Sequence, residues 1–454
     1  MNTDGKIDIQ AVVDSHRLSL FQWLLLLVCF VIAVLDGFDV GVIGALAPSI
    51  ALEWNVEPER LSYLFGLGLV GLALGALAFG PLADRLGRRP MLIFAVTGLG
   101  GTTLVCAYAT SFEMLLALRF AAGLFLGGAL PTALTILSEY VPSRVRFTML
   151  TAFSCGFSIG GALSGFVASW LLTGPEGWRH ILILGGVLPL MIVPVLLILV
   201  PESTTFLIGR RQGSRRIART LRRIAPEADF GNMTFVPPEK EEKASPVIAL
   251  FAADLRQTTI LIWICQVMGL TVYYFLVSWL PSVIHGAGVT IRTAAFLTAM
   301  IPAGSTIGAI VLGMLMDRLS PFRVLTASLM FATLCIILIG QVYAVIPFLG
   351  LAILGAGFGI GGSIMGLNAV AASFYPPAIR GTGVSWSLGI GRLGSIFGAM
   401  LGGTLISLQM GLSMIFALIA VPAFIAALSM LAMARRAVTR GNDKFRVAPS
   451  PVPE

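Results

Sequence analysis

The sequence predicts an all-α membrane protein of twelve transmembrane helices in two pseudo-symmetric halves of six. Three observations carry that reading. Hydrophobic residues are 57% of the 454 residues, charged residues only 11%, and mean hydropathy is +0.93; soluble domains carry about 25% charged residues. Twelve separate apolar stretches have the length of about 20 residues that crosses a hydrocarbon core. Two motifs also recur at nearly one offset. Gly80-Pro81-Leu82-Ala83-Asp84-Arg85-Leu86 returns 233 residues later as Gly313-Met314-Leu315-Met316-Asp317-Arg318-Leu319, and Pro142…Arg146 returns 234 residues later as Pro376…Arg380.

Taken in order, residues 1–20 form a polar segment of mixed charge. The first apolar run follows with no cleavage site, so it is a retained helix and not a signal peptide. The first half, 21–200, holds spans near 21–46, 61–79, 91–110, 114–137, 148–172 and 180–200. A linker, 201–257, contains Arg210-Arg211, Arg215-Arg216, Arg219 and Arg222-Arg223, then Pro237-Pro238 and the run Glu239–Lys243. Its basic first part suits a helix at an anionic membrane surface. The second half, 258–434, holds spans near 258–281, 294–315, 324–342, 347–374, 382–407 and 411–433, and 435–454 is a tail. Parallel six-helix halves are a transporter architecture, with a substrate site expected near the midplane.

The net charge of +8 does not indicate nucleic acid. Arg60, Arg179 and Arg292 fall in loops on one side, and Arg119 and Arg392 inside spans; the other 25 of 30 Lys and Arg fall on the side of both termini. That asymmetry predicts cytoplasmic termini in a bacterial inner membrane, and no soluble basic face exists for nucleic acid. The five cysteines are scattered singly, with no metal or disulfide spacing. There is no P-loop, no HExxH and no triad spacing, so neither enzyme, cofactor nor metal is expected. The 51 glycines cluster inside the spans, which favours close helix packing.

Two acids interrupt span 1 at Asp36-Gly37-Phe38-Asp39. A carboxylate at membrane depth costs roughly 2.5–3.5 kcal/mol on insertion scales, so it marks a functional site by default. The three-residue spacing places both on neighbouring parts of one helix face, and Gly37 lets another helix or a ligand come close. Either acid can carry a proton, since burial raises a carboxylate pKa and a neighbouring arginine lowers it. Arg119 in span 4 presents the bidentate fork that suits a carboxylate, belonging either to a substrate or to Asp36 or Asp39. Arg392 in span 11, flanked by Gly391 and Gly394, is the candidate for a substrate carboxylate from the second half; snorkelling to the membrane rim is the alternative. Tyr273, Tyr274, Phe275 and Trp279 line span 7 as aromatic packing or as a stacking surface for a ring. At the ends of the spans, Gly80, Asp84, Arg85 and Arg88 form a loop that can gate by bonding to neighbouring helix ends, with Glu139, Arg144, Asp317, Arg318 and Arg380 as partners.

The segment Gly80–Arg89 resembles the signature loop of the major facilitator superfamily, and Pro201-Glu202-Ser203-Thr204-Thr205-Phe206-Leu207 resembles its motif after helix 6. Asp36-Gly37-Phe38-Asp39, Ser138-Glu139-Tyr140 and Arg380-Gly381-Thr382-Gly383-Val384-Ser385-Trp386 through Arg392 are similar to the aromatic acid:proton symporters. Within them the similarity is to the 4-hydroxybenzoate/protocatechuate transporters. The resemblance implies the major facilitator fold and a monomer in the lipid bilayer that imports a small aromatic carboxylate with protons by alternating access. Asp36, Asp39, Asp84, Arg119, Glu139, Asp317, Arg380 and Arg392 match positions that family uses. Thr132 stands where those relatives carry Asn, Phe322 where they carry His, and Asn368 lies one turn beyond their polar positions in helix 10; Thr132, Asn368 and Tyr274 are therefore candidate substrate contacts. Rivals on the same machine are a muconate or dicarboxylate importer or a drug:proton exporter. A non-transporting aromatic-acid receptor is the rival from another class.

Overall fold

A computed structural model describes residues 6–172, 176–209, 214–225, 234–236, 246–252, 255–343 and 345–439. Arg210-Arg211, Pro237-Pro238, Glu239–Lys243 and tail residues 440–454 lie outside them. Strand β1 (Lys6–Asp8) and α1 (Ile9–Ser15) precede the first six spans. Those spans are α2 (Leu20–Trp54), α3 (Pro58–Leu86), α4 (Arg88–Cys106), α5 (Phe112–Tyr140), α6 (Arg146–Leu171) and α7 (Gly177–Leu199). Between the halves lie α8 (Thr204–Gly209), α9 (Ser214–Leu221), β2 (Thr234–Val236) and α10 (Pro246–Ala249). The second six spans are α11 (Arg256–Gly286), α12 (Ile291–Arg318), α13 (Pro321–Ile339), α14 (Ile346–Phe374), α15 (Pro377–Ser407) and α16 (Leu412–Thr439). Among the described residues twelve helices are long and apolar enough to cross a membrane, as expected. One addition to the helical reading is the parallel pairing of β1 with β2, Lys6 opposite Thr234.

Local chemistry sets the helix ends. Ser111 accepts from Met114 N–H at the start of α5, and Thr290 accepts from Thr293 N–H at the start of α12, satisfying donors left free in a first turn. The chain reverses from α3 to α4 through Gly87 alone, at φ +107°. A side chain there would be strained, and its Cβ would also lie 2.7 Å from Glu202 Oε2. This is the physical reason for a glycine between Arg85 and Arg88.

The chain divides into two compact units. The first gathers Met1–Val40, Leu67–Gly160 and Glu176–Glu241. Inside it α2 and α6 touch backbone to backbone: a Cβ at Gly37 would sit 1.9 Å from the Phe157 carbonyl oxygen, and one at Gly160 equally close to that of Val34. The expected close approach at Gly37 is thus made by α6. The N-terminal segment is docked in this unit. Ile9 and Val13 join Ile217, Leu221 and Ile224 in one apolar cluster. Asp14 accepts from Ser143 N–H and Oγ, at 2.6 and 2.9 Å, and from Gln10.

The second unit gathers Gly41–Gly66, Gly161–Pro175 and Glu242–Glu454. It therefore includes one end each of α2, α3 and α6, together with the second six spans. Arg60, Arg179 and Arg292, expected in loops, lie in the first turns of α3, α7 and α12, because those helices run on past the hydrocarbon length. A Cβ at Gly44 would lie 2.1 Å from the Val277 carbonyl oxygen of α11. Gly403 of α15 lies against the Pro58 carbonyl and Ser62, Phe65 packs edge-on to Trp279 at 5.1 Å, and Arg292 Nε donates to the Ser169 carbonyl at 2.9 Å. These helix ends are locked together with no room for a side chain at Gly44.

Candidate functional site

The membrane-depth acids lie in α2, whose apolar length holds both out of water. Asp36 is 1% exposed and Asp39 3%. Arg119 of α5, itself 6% exposed, closes on Asp39 with both fork nitrogens: Nη1 donates to Oδ1 at 3.0 Å and Nη2 to Oδ2 at 2.7 Å. Thr103 of α4 adds a bond to Oδ1 at 3.0 Å. Of the two partners the sequence allowed, the bidentate pair goes to Asp39. A buried charge is tolerated only when paired and hydrogen-bonded, and Asp39 meets both conditions. Thr103 was not among the sequence candidates; as one more small polar residue in an apolar span it carries little signal without the fold.

Arg392 is half-buried in α15, and among the described residues its side chain makes no hydrogen bond or ion pair. Asn368 of α14 is likewise half-buried, without a side-chain hydrogen bond. Tyr274 is 4% exposed against Tyr273, with ring centroids 5.7 Å apart. Phe275 and Trp279 are fully buried, and Trp279 Nε1 donates to the Ala399 carbonyl, so both serve packing. Thr132 is turned inward and donates to the Gly128 carbonyl at 2.6 Å. It lines a small cavity, about 220 Å³, together with Gly80, Asp84 and Arg88.

Sequence reasoning passed over Gln266 of α11. It is fully buried, neither amide atom has a hydrogen-bond partner, and its Cγ would lie 2.6 Å from a Cβ on Gly391, beside Arg392. The signal was available, since a glutamine in an apolar span asks the same question as an aspartate. Among the described residues it is one of the few buried polar groups left without a partner.

The signature-loop residues build a compact network in the first unit. Arg88 pairs with Glu139 and lies 3.6 Å from Asp84. Glu139 also accepts from Ser203 Oγ, Thr204 N–H and Thr204 Oγ1. Glu202 Oε1 collects the N–H groups of Arg88, Arg89 and Ser203 at 2.8, 3.1 and 2.9 Å. The two motifs of the sequence are thus one interlocked assembly. Arg144, expected among the gate partners, instead donates to the carbonyls of Asp14 and His16. Asp317, Arg318 and Arg380 are exposed and make no ion pair among the described residues. Burial alone would raise the Asp14 pKa. The hydrogen bonds from Ser143 and Gln10, with the charge of Arg146, outweigh it and hold the carboxyl below its ordinary 3.8.

Among the described residues, twelve helices long and apolar enough to cross a membrane, with an ion pair buried among the first of them, define a multi-pass membrane protein. The sequence profile of the Major Facilitator Superfamily matches residues 29–367 and 263–454, and the chain belongs to that superfamily. It is 39% identical to the gallate transporter of Pseudomonas putida over 98% of both chains. It is 38% identical to the 4-hydroxybenzoate transporter PcaK of the same species, over 95% of this chain and 96% of that one. In fold it is similar to a bacterial homolog of the human lysosomal transporter Spinster, at TM-score 0.70 and 19% identity over 96% of this chain and 100% of that one. The D-xylose-proton symporter gives TM-score 0.69 and 16% identity over 90% and 97%.

Proposed function

We propose that the protein imports a small aromatic carboxylate of the hydroxybenzoate type together with protons, by alternating access. The observation that carries the proposal is the sealed Asp39–Arg119 pair, in a chain similar from end to end to transporters of gallate and 4-hydroxybenzoate. Both Nη atoms of the Arg119 fork are taken by the internal carboxylate, so a substrate carboxylate that needs that same pair of donors must displace Asp39. A proton arriving on Asp39 neutralises it and frees the Arg119 fork for the incoming anion; loss of that proton restores the pair and expels the anion. Charge balances, since one proton and one monoanion enter together. Asp36, buried one turn away, is the second group on the proton path.

Arg392, with its guanidinium uncommitted, is the substrate-carboxylate residue of the second half, and Tyr274, Thr132 and Asn368 shape selectivity. The Gly80–Arg88 segment, the end of α3 and the start of α4, with Glu139, and its repeat around Asp317, Arg318 and Arg380, serve as gates; Arg144 serves there by holding the N-terminal segment. The halves 21–200 and 258–434 move as the working parts of a monomer. Both termini face the cytoplasm of a bacterial inner membrane, as the side holding most Lys and Arg implies. The test is uptake of labelled 4-hydroxybenzoate and gallate into cells expressing wild type, Asp39→Asn or Arg392→Ala, with and without a protonophore. The reading expects accumulation by wild type only, abolished by the protonophore. Absence of uptake of any aromatic acid would overturn the substrate assignment.

A further inference from the structure

Away from the buried acids, the first unit carries a cavity of about 900 Å³ where the ends of α4 and α7 meet α9. Four guanidinium groups line it, from Arg89, Arg216, Arg219 and Arg223. Among the described residues the one acid on its wall is Glu202, whose Oε1 already accepts three backbone N–H groups. Arg216 and Arg219 are exposed and make no side-chain hydrogen bond or ion pair among the described residues. Arg89 donates to the Leu197 carbonyl, yet its Nε is buried without a partner. Among the described residues the cavity therefore holds an excess of positive charge. Its position is fixed, because Ile217, Ala218 and Leu221 of α9 are buried in the apolar cluster and hold the arginine-bearing face in place.

The same cavity opens onto exposed apolar surface. Phe94 of α4 is 54% exposed and Ile198 of α7 77%, on helices that cross the membrane. A ligand matched to both features carries a phosphate and apolar chains on one molecule. We propose that this cavity binds the headgroup of an anionic phospholipid of the phosphatidylglycerol class. Its phosphate sits among Arg89, Arg216, Arg219 and Arg223, and its acyl chains lie along Phe94 and Ile198. The lipid ties the linker helix to the ends of α4 and α7. Arginine suits phosphate because its planar fork gives two parallel charge-assisted bonds.

The test uses the full-length protein, purified and delipidated, titrated with phosphatidylglycerol or phosphatidylcholine and read by native mass spectrometry. Wild type should retain phosphatidylglycerol in preference to phosphatidylcholine. Arg216→Gln/Arg219→Gln should lose roughly 30-fold in affinity for it, at about a fivefold loss for each basic residue near the surface. Arg219→Gln alone, a milder change, should lose about fivefold. Arg256→Gln/Arg323→Gln removes equal charge from exposed sites outside the cavity and should bind as wild type. Excess sn-glycerol 1-phosphate, which has the phosphate without the chains, should fail to displace the lipid. Unchanged binding by both cavity variants, equal loss in the control variant, or full displacement by glycerol phosphate would each overturn the proposal.

Discussion

Replacing Asp39 by asparagine removes the charge around which Arg119 is held. The structure sets the size of the effect. Asp39 and Arg119 are 3% and 6% exposed, joined by two short bonds, with a third to Asp39 from Thr103. Removing one member of such a buried pair leaves the other uncompensated, at about 3–5 kcal/mol. An amide can still accept one bond, which places Asp39→Asn near the lower figure. Asp84→Asn is the contrast: Asp84 is 70% exposed and 3.6 Å from Arg88, and such a pair is worth about 0–1 kcal/mol. Chemical unfolding in detergent micelles should rank the two accordingly. In a double-mutant cycle, Asp39→Asn/Arg119→Gln should lose less than the sum of the single variants, with a coupling of about 2–3 kcal/mol. The double variant should recover part of that stability but not uptake, because the switch is lost together with the buried charges. Additivity within about 0.5 kcal/mol would refute the pair as an energetic unit, and restored uptake would refute its part in coupling.

Other sites give further outcomes. Gly44→Val would force its side chain into the Val277 backbone, so the packed ends of α2 and α11 would part. Insertion in the membrane should persist, cysteine pairs across that junction should lose cross-linking, and uptake should fall below a tenth of wild type, since about 1.4 kcal/mol of lost closure is tenfold. Gly87→Ala combines a strained φ of +107° with a close approach to Glu202; it should cost about 1–3 kcal/mol, read as a lower melting temperature of the purified protein. Asp14 has its pKa held down in the folded chain. Docking of the N-terminal segment should therefore be complete above pH about 4 and be lost as pH falls through the lowered folded pKa. Limited proteolysis of that segment across pH reads this, and Asp14→Asn should be cleaved faster even at neutral pH.

Much of this architecture was legible before any coordinates, for identifiable reasons. Lipid imposes length and apolarity on every span, so all twelve helices stood out. Their ends did not, because helices continue past the hydrocarbon: α2 runs through Pro48 to Trp54, and α3 carries Asp84 and Arg85 as its last turn. The basic helix of the linker was readable from its arginines, and α9 indeed buries Ile217 and Leu221 while exposing Arg216 and Arg219. Docking of residues 6–16 was not readable, since it depends on Ser143 and Arg144, more than a hundred residues away. The same limit governs the acid pair. Spacing puts Asp36 and Asp39 on neighbouring parts of one helix face, and only the placement of α5 decides that Arg119 closes on the second. The folded units also cut across the six-helix halves, because the ends of α2, α3 and α6 pack with the second set of spans.

The central claim is that a proton on the buried pair and an aromatic carboxylate travel together. Its most direct measurement is uptake of labelled 4-hydroxybenzoate into proteoliposomes with an imposed pH gradient, acidic outside, and the membrane potential clamped at zero. The account predicts transient accumulation above equilibrium in wild type, collapse of that gradient by a protonophore, and only downhill exchange in Asp39→Asn. Accumulation that ignores the pH gradient, or that survives unchanged in Asp39→Asn, would contradict it.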